Sequence, residues 1–159
     1  MNDLEQISAV LVRYATGIDS RDWDLFRTCF TQDCQLDYGV IGRWNSCDEV
    51  TAYMIRAHSG PSLHRLSNFD IRIDGDRAWC RTYVDALVFG PGGIGSAHAI
   101  GYYDDELVRG ADGWKIARRR HTSIRLKFLG LLSIIPSWMV LRVSAIASRR
   151  LNSVSAKNG

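Results

Sequence analysis

The 159-residue sequence lacks paired cysteines, a membrane-length apolar run and a secretory signal. Its four cysteines form no C-x-x-C pair and no cysteine-histidine pattern with zinc spacing, so we expect reduced, mostly buried thiols in a cytoplasmic protein. The most apolar segment has about fourteen residues between Lys127 and Arg142, fewer than the roughly twenty that a membrane-spanning helix needs. We expect this segment to cover a pocket or form an interface, with peripheral membrane contact as the lesser alternative.

The sequence also lacks a strong excess of charge. Its net charge is +3, and the basic residues gather late, in "RRRH" and in the tail, whereas the earlier part of the chain is mixed or acidic. Nucleic-acid binding requires a basic face, so we expect no nucleic-acid partner. Hydrophobic residues make up 46% and charged residues 23%, which is typical of a folded globular protein, and the length suits a single domain.

No familiar catalytic motif is present. The sequence has no serine in a nucleophile elbow, no H-E-x-x-H pattern and no acidic cluster suited to a divalent metal. The "GPGGIG" run at 90–95 joins two predicted strands and opens no helix, unlike a phosphate-binding loop. Tyrosine, aspartate and histidine remain, and these residue types indicate proton transfer without a cofactor or metal.

Three helices are predicted before Pro61. The first is predicted by an apolar stripe at alternating steps of three and four residues, namely Leu4, Ile7, Leu11, Tyr14 and Ile18. Ser20 is a candidate N-cap for a short second helix, and Ser46 for a third. Between them, "CQLDYGVIGRW" predicts a short strand pair or a strand and turn.

Two long β-hairpins are predicted after the helices. The first turns at 74–76 and the second at 111–113, which gives a four-stranded antiparallel meander. Helices followed by strands indicate an α+β fold, in which a cone-shaped, curved antiparallel sheet wraps around three N-terminal helices and leaves a pocket. We assign residues 1–127 to this domain and 128–159 to an apolar and basic C-terminal extension.

His64 and Asp19 are the first candidates for chemistry. His64 begins the first long strand, at the edge of the predicted pocket, although a lone histidine beside a leucine is more often structural. Asp19 lies in the last turn of the first helix, at the edge of its apolar stripe, and the alternative is that it helps Ser20 to cap the second helix. Tyr14 faces the core from the same stripe.

Two later strands carry polar residues on mixed faces. Alternation in "RAWCRTYVDALVFG" puts Asp85 on the face of Trp79 and Leu87, where it is either a pocket acid or the partner of an arginine on the outer face. In "WKIARRRHTSI" neither face is cleanly apolar, so at least one arginine points toward something other than bulk core. Arg119 is the pocket candidate, although a triple arginine is usually a solvated edge.

Large apolar side chains are expected to line the pocket and indicate a large hydrophobic substrate. They are Trp23, Phe26, Tyr53, Met54, Trp79, Leu87 and Phe89.

The order of elements and the patterns Y-x-x-x-x-D with "RDWD", then "CQLDYG", "HRLSN" and "DGWKI", resemble the SnoaL-like group of the nuclear-transport-factor-2-like superfamily over residues 3–127. Within that group the chain is most similar to the cofactor-free lyases, such as scytalone dehydratase and bile acid dehydratase. The resemblance implies a histidine base, His64, oriented by Asp19 inside a cone-shaped cavity. It further implies Tyr14 and Asp85 as catalytic residues, with Tyr38 and Arg119 in contact with the substrate.

The resemblance implies a dehydratase that removes a proton next to a carbonyl on a hydrophobic, polycyclic or steroid-like hydroxylated substrate. The alternatives are a ketosteroid-isomerase-like or polyketide-cyclase activity with Asp85 as the base, and a non-catalytic binding or small-subunit role, because this fold hosts many activities. The dehydrochlorinase lysine near the end of the first helix has no counterpart, which counts against dehalogenation. Sheets of this family often pair face to face, so we expect a homo-oligomer.

Overall fold

The computed structural model describes residues 1–93 and 95–130. It contains three α-helices, which are α1 (Asp3–Ser20), α2 (Trp23–Arg27) and α3 (Cys47–Ala57). It contains six strands, which are β1 (Phe30–Asp37), β2 (Arg43–Trp44), β3 (Ser62–Asp74), β4 (Arg77–Phe89), β5 (Ser96–Gly110) and β6 (Gly113–Leu129). The predicted order of two helices, a short strand pair, a third helix and two long hairpins is confirmed.

Side-chain caps determine where α2 and α3 begin. The Ser46 hydroxyl accepts a hydrogen bond from the Glu49 amide, as the sequence predicts for α3. The prediction that Ser20 caps α2 is wrong, because Ser20 is the last residue of α1 and its hydroxyl donates to a carbonyl one turn earlier. Asp22 caps α2 instead, by accepting from the Leu25 amide.

The six strands form one sheet in the order β2-β1-β6-β5-β4-β3. Neighbouring strands are antiparallel except β1 and β6, which pair in parallel. The meander from β3 to β6 is therefore as predicted, but the sheet is mixed rather than purely antiparallel. The chain passes through β2, α3 and the strands β3 to β5 before β6 pairs with β1. Parallel pairing of two strands needs a long connection of this kind.

Helix α1 packs against the inner face of the curved, unclosed sheet and contacts β3 and β6. Its stripe is buried at Ile7, Leu11, Tyr14 and Ile18, whereas Leu4 in the first turn is exposed. The α+β fold with a cone-like sheet around the helices is thus confirmed. Its consequence for function is that Tyr14 and the last turn of α1 lie against the inner face of the sheet.

A β-bulge in β6 determines which of the three consecutive arginines points inward. Ile116 pairs with Leu107 but Arg118 pairs with Glu106, so Ala117 is an extra residue in the strand. The strict alternation assumed from the sequence therefore fails here. Residues Trp114 and Ile116 before the bulge, and Arg119 and His121 after it, are all buried on the inner face, while Arg118 and Arg120 are exposed.

The predicted boundary at residue 127 falls inside β6, which continues to Leu129. Residues 131–159, and with them most of the predicted C-terminal extension, lie outside the described residues, so its packing over a pocket or interface stays a prediction. Within the described ranges, no helix combines the length and the hydropathy needed to cross a membrane.

Candidate active site

Asp19 and His64 meet where the end of α1 lies against the start of β3. The His64 Nδ1 atom lies 2.7 Å from Asp19 Oδ1, and the His64 backbone amide donates to Asp19 Oδ2 at 2.7 Å. The Ser62 hydroxyl donates to Asp19 Oδ1 at 2.8 Å. In the neutral imidazole this contact makes Nδ1 the donor and places the free lone pair on Nε2.

The environment of this pair keeps the carboxylate ionised. Burial alone raises the pKa of Asp19, but the hydrogen bonds from the ring and backbone of His64 and from Ser62 outweigh it and lower the pKa below its ordinary value. The His64 side chain is only 5% exposed. Asp19 does not cap α2, because both oxygens of its carboxylate accept hydrogen bonds from residues of β3.

Three tyrosine hydroxyls meet in the interior, and the ring of one of these tyrosines, Tyr14, contacts His64. The Tyr14 hydroxyl lies 3.3 Å from the hydroxyls of both Tyr38 and Tyr103. The Tyr14 ring meets the His64 ring edge-on, with centroids 6.3 Å apart. Burial raises the pKa of each phenol well above its ordinary value, so all three remain protonated hydrogen-bond donors near neutral pH.

Arg119 places a permanent positive charge under these phenols. Its guanidinium makes two hydrogen bonds of 2.7 Å to Asp105, and both side chains are fully buried. Its central carbon lies 4.2 Å from the Tyr14 ring centroid and 4.1 Å from that of Tyr103. Burial opposes the charge, but the Asp105 carboxylate outweighs it and holds the pKa of Arg119 above its ordinary value. Arg119 thus points to the interior, while its contact with a substrate stays a prediction, and the remaining Nη1 has no hydrogen-bond partner among the described residues.

Two further buried histidines accompany the site. The His58 ring lies 5.7 Å from the His64 ring, and the His121 ring lies 5.2 Å from that of Tyr38. Burial is the main cause that lowers the pKa of each to about 4, with His64 adding to the effect at His58 and Arg119 at His121. Both imidazoles are therefore neutral at pH 7.

Folding stability should fall as the pH is lowered from about 6.5 to about 4. In that window the unfolded chain gains protons on His58 and His121 that the folded chain does not accept, which costs about 3 kcal/mol for each histidine. Urea unfolding at a series of pH values measures the effect. The His58→Gln and His121→Gln variants should each flatten the curve, and an unchanged curve in both would mean that the folded protein protonates these rings.

Tyr103, Asp105, His58 and His121 were not singled out from the sequence. Tyr103 and Asp105 alternate with Leu107 on the inner face of β5, so the period of two in "YYDDELV" was the available signal. His121 reaches the interior through the bulge at Ala117, which strict alternation does not reveal.

Asp85 is not part of this site, and the expectation that it joins His64 as a pocket acid is corrected. In the register of β3 and β4, His64 pairs with Ala86 while Asp85 pairs with Arg65, so the two side chains lie on opposite faces. Asp85 is 43% exposed, with its carboxylate 2.7 Å from His98 Nε2 and 3.3 Å from Arg65 Nη1. The alternative of an arginine partner on the outer face is the one found.

The residues predicted to form apolar contacts with the substrate also lie in two separate places, the outer face of the sheet and the edge of the tyrosine cluster. Leu87 and Phe89 continue the outer face of β4 beyond Asp85, so the structure does not bring them to the inner cluster. Tyr53 is partly buried and its ring lies 4.5 Å from that of Trp44, which in turn packs on Tyr38. Trp23 packs edge-on against Phe26 beneath Tyr14. These two aromatic residues therefore support the tyrosine cluster from its periphery.

A groove of about 940 Å³ lies around Trp79 and Arg81, and its lining also includes Asp105 and Arg119. It includes neither His64 nor the three tyrosines. Its charges are largely paired, as in the Arg81–Asp104 contact at 2.6 Å. We place the candidate site on the inner cluster because only there does an oriented imidazole lie beside buried hydrogen-bond donors and a buried cation.

Comparison with known proteins agrees with this architecture. The chain is 31% identical over 134 residues to uncharacterized proteins of Mycobacterium tuberculosis and Mycobacterium bovis, an alignment that covers 81% of this chain and 90% of each relative. Among solved structures, a Kribbella flavida protein has a TM-score of 0.72 at 24% identity and covers 79% of this chain and 93% of its own.

Two further structures carry names that refer to lyases. A provisionally named scytalone dehydratase of Novosphingobium aromaticivorans has a TM-score of 0.72 at 20% identity, covering 78% of this chain and 85% of its own. The type 2 hexachlorocyclohexane dehydrochlorinase LinA has a TM-score of 0.68 at 14% identity, covering 85% and 92%. At these identities the likeness shows the fold alone. The family description that matches residues 1–120 is "SnoaL-like domain", and the chain belongs to that family.

Proposed function

We propose that this protein is a cofactor-independent lyase of the dehydratase type, which removes a proton next to a carbonyl on a hydrophobic, hydroxylated cyclic substrate. One observation carries the proposal: the Asp19–His64 pair, joined at 2.7 Å, lies against the ring of Tyr14, which itself contacts two more buried phenols and a buried guanidinium. This arrangement supplies a base on one side and stabilisation for a developing oxyanion on the other. The lyase names among the structural neighbours support the same class.

His64 acts as the base through Nε2. Because Nδ1 donates to Asp19, the second nitrogen carries the free lone pair, and Asp19 stabilises the imidazolium that forms. Because an imidazole base removes only an activated proton at useful rates, the reacting C–H must lie next to a carbonyl. Asp19 is a positioning residue in this scheme, since it acts through His64.

The phenols receive the negative charge that develops on the carbonyl oxygen. Tyr14 is the central donor, because its hydroxyl reaches those of both Tyr38 and Tyr103 at 3.3 Å. These contacts are long, so a substrate oxygen that replaces them gains shorter bonds. The Arg119 cation behind the rings of Tyr14 and Tyr103 favours the enolate over the ketone.

His64 also returns the proton in the second half of the reaction. After proton abstraction, the enolate collapses, the bond to the β-hydroxyl breaks, and the imidazolium at Nε2 donates its proton to the departing oxygen. The products are one water molecule and a conjugated ketone. Asp85, which the resemblance suggests as an alternative acid or base, lies on the outer face and cannot take this role.

Replacing Tyr14 by phenylalanine should lower the rate constant of enolate formation by about 10²–10³. The variant removes one hydroxyl and keeps the ring contacts with Phe26 and Phe30, so the fold should survive. Exchange of the α-protons of a cyclic ketone in D₂O, followed by NMR, measures the rate. Tyr102→Phe on the outer face is the matched control, and equal losses in the two variants would contradict the role of Tyr14.

A direct test of the proposed function uses the same exchange assay on the wild-type protein. Bicyclic and steroid-like ketones should exchange their α-protons faster with the protein than without it. β-Hydroxyketones of the same ring systems should lose one water molecule, as measured by mass spectrometry. Exchange without water loss would favour the isomerase alternative, and the absence of both across the panel would favour a non-catalytic binding role.

A further inference from the structure

His121 takes no part in the proton transfer proposed above, yet it is buried beside the groups that do. It is 8% exposed, and its ring lies 5.2 Å from the Tyr38 ring and 5.3 Å from the Tyr103 ring. Neither of its ring nitrogens has a hydrogen-bond partner among the described residues. Both nitrogens therefore lie without a partner next to two of the three phenols.

Packing alone does not account for this imidazole. A buried donor or acceptor without a partner costs about 1–3 kcal/mol, and an apolar ring in the same space would avoid that cost. Tyr38 and Tyr103 offer His121 aromatic faces that a phenylalanine would fill as well. A bound group that supplies the missing hydrogen bond accounts for the histidine.

The neighbouring strand leaves room for the ring. A Cβ atom at Gly101 would lie 3.2 Å from His121 Nε2 and 2.1 Å from the Thr122 carbonyl oxygen, so a side chain cannot be accommodated there. The bulge at Ala117 turns His121 to the inner face, and Gly101 lets it lie across the backbone of β5. The backbones of β5 and β6 together therefore determine where the His121 ring lies.

The charge around His121 determines what it can bind. The groups that face it are the phenols of Tyr38 and Tyr103 and the guanidinium of Arg119, whose partner is Asp105. Burial and the guanidinium lower the pKa of His121 to about 4, so the ring is neutral at pH 7. A neutral imidazole offers one donor and one acceptor. A hydroxyl group suits either nitrogen, because it can both donate and accept.

We propose that His121 is a specificity residue, which binds a second oxygen of the ligand, a hydroxyl carried by the hydrophobic ring system. The identity of the first oxygen, the ketone held by Tyr14, rests on the proposed function. The ligand class that follows is a cyclic ketone that carries a ring hydroxyl in addition to the oxygen at the reacting end.

Equilibrium binding of four probes tests the proposal. The probes are 1-tetralone and its ring-hydroxylated derivatives, with the hydroxyl at position 5, 6 or 7, and titration calorimetry gives their dissociation constants. At least one hydroxytetralone should bind the wild-type protein about tenfold more tightly than 1-tetralone, the value of one net hydrogen bond. In His121→Phe this ratio should fall to about one, whereas His121→Gln, which keeps a donor and an acceptor, should retain most of it.

His98→Phe on the outer face is the matched control and should keep the wild-type ratio. A ratio near one in the wild-type protein, no binding of any probe, or an unchanged ratio in His121→Phe would overturn the proposal. If His121→Phe does not fold, His121→Leu, which also lacks a donor and an acceptor, takes its place and should likewise bring the ratio to about one. The α-proton exchange of 1-tetralone in the same samples reports on the proposed function separately: exchange without discrimination rejects His121 alone, and discrimination without exchange rejects the lyase alone.

Discussion

Replacing His64 by alanine should lower the rate of α-proton exchange by a factor of about 10²–10⁴, the usual contribution of a positioned general base. The loss should appear in the rate constant of the chemical step, because the phenols that hold the carbonyl remain. Asp19→Asn should also lower the rate, since it removes the charge that stabilises the imidazolium and the carboxylate that orients the ring. NMR-detected exchange of a cyclic ketone in D₂O measures both variants.

The outer face of the sheet provides a matched control for this experiment. His98 and Asp85 form a second histidine-aspartate pair with the same 2.7 Å contact, but their side chains are 31% and 43% exposed, and the tyrosines on the same face, Tyr83 and Tyr102, are not buried. His98→Ala and Asp85→Asn should therefore leave the exchange rate unchanged. Retention of activity in His64→Ala, or equal losses from the inner and outer pairs, would reject His64 as the base. Loss of activity in Asp85→Asn alone would revive the ketosteroid-isomerase-like alternative.

Replacing Asp105 by asparagine should lower the free energy of unfolding by about 3–5 kcal/mol. The change leaves the side-chain volume almost unaltered, but it removes the only counter-charge that the described structure gives to Arg119 in the interior. An isolated buried guanidinium cannot easily lose its proton, so the folded state bears the full cost of the unpaired charge. Urea unfolding at pH 7 measures the difference.

Asp104 is the natural control, because it is the next residue and points to the opposite face. It pairs with Arg81 on the exposed side of the sheet, at 2.6 Å. Asp104→Asn should leave the free energy of unfolding nearly unchanged, because solvent screens exposed ion pairs. Equal effects of the two substitutions would mean that water reaches Asp105. The double variant Asp105→Leu with Arg119→Met should recover part of the lost stability, since it removes both charges together.

The helices, the hairpins and the Asp19–His64 pair were accessible from the sequence for different reasons. The apolar stripe of α1 and the turn residues of the hairpins are local patterns, and local patterns fix the elements. Asp19 and His64 are 45 residues apart, and no local pattern brings them together. Only the resemblance to known lyases suggested that they meet.

The faces of the strands were harder to predict. Period-two alternation separates Asp85 from its neighbours correctly but does not say which face is inside, and both faces of β4 carry bulky apolar residues. The exposed Trp79 and Tyr83 on the outer face resemble core residues in sequence. In β6 the alternation itself breaks at Ala117, and an insertion of one residue in a strand leaves no mark in composition.

Ala117 makes the interior of this protein sensitive to chain length rather than to residue type. Its side chain contributes little, but the extra residue in the strand determines that Arg119 and His121 point into the core. A deletion of this single residue would remove the bulge and exchange the two faces of β6 from Arg118 as far as the second register shift, between Ser123 and Arg125. Arg118 and Arg120 would then turn inward while Arg119 and His121 turned to solvent. Relatives that differ by one residue here would have differently charged interiors even if every other position were identical.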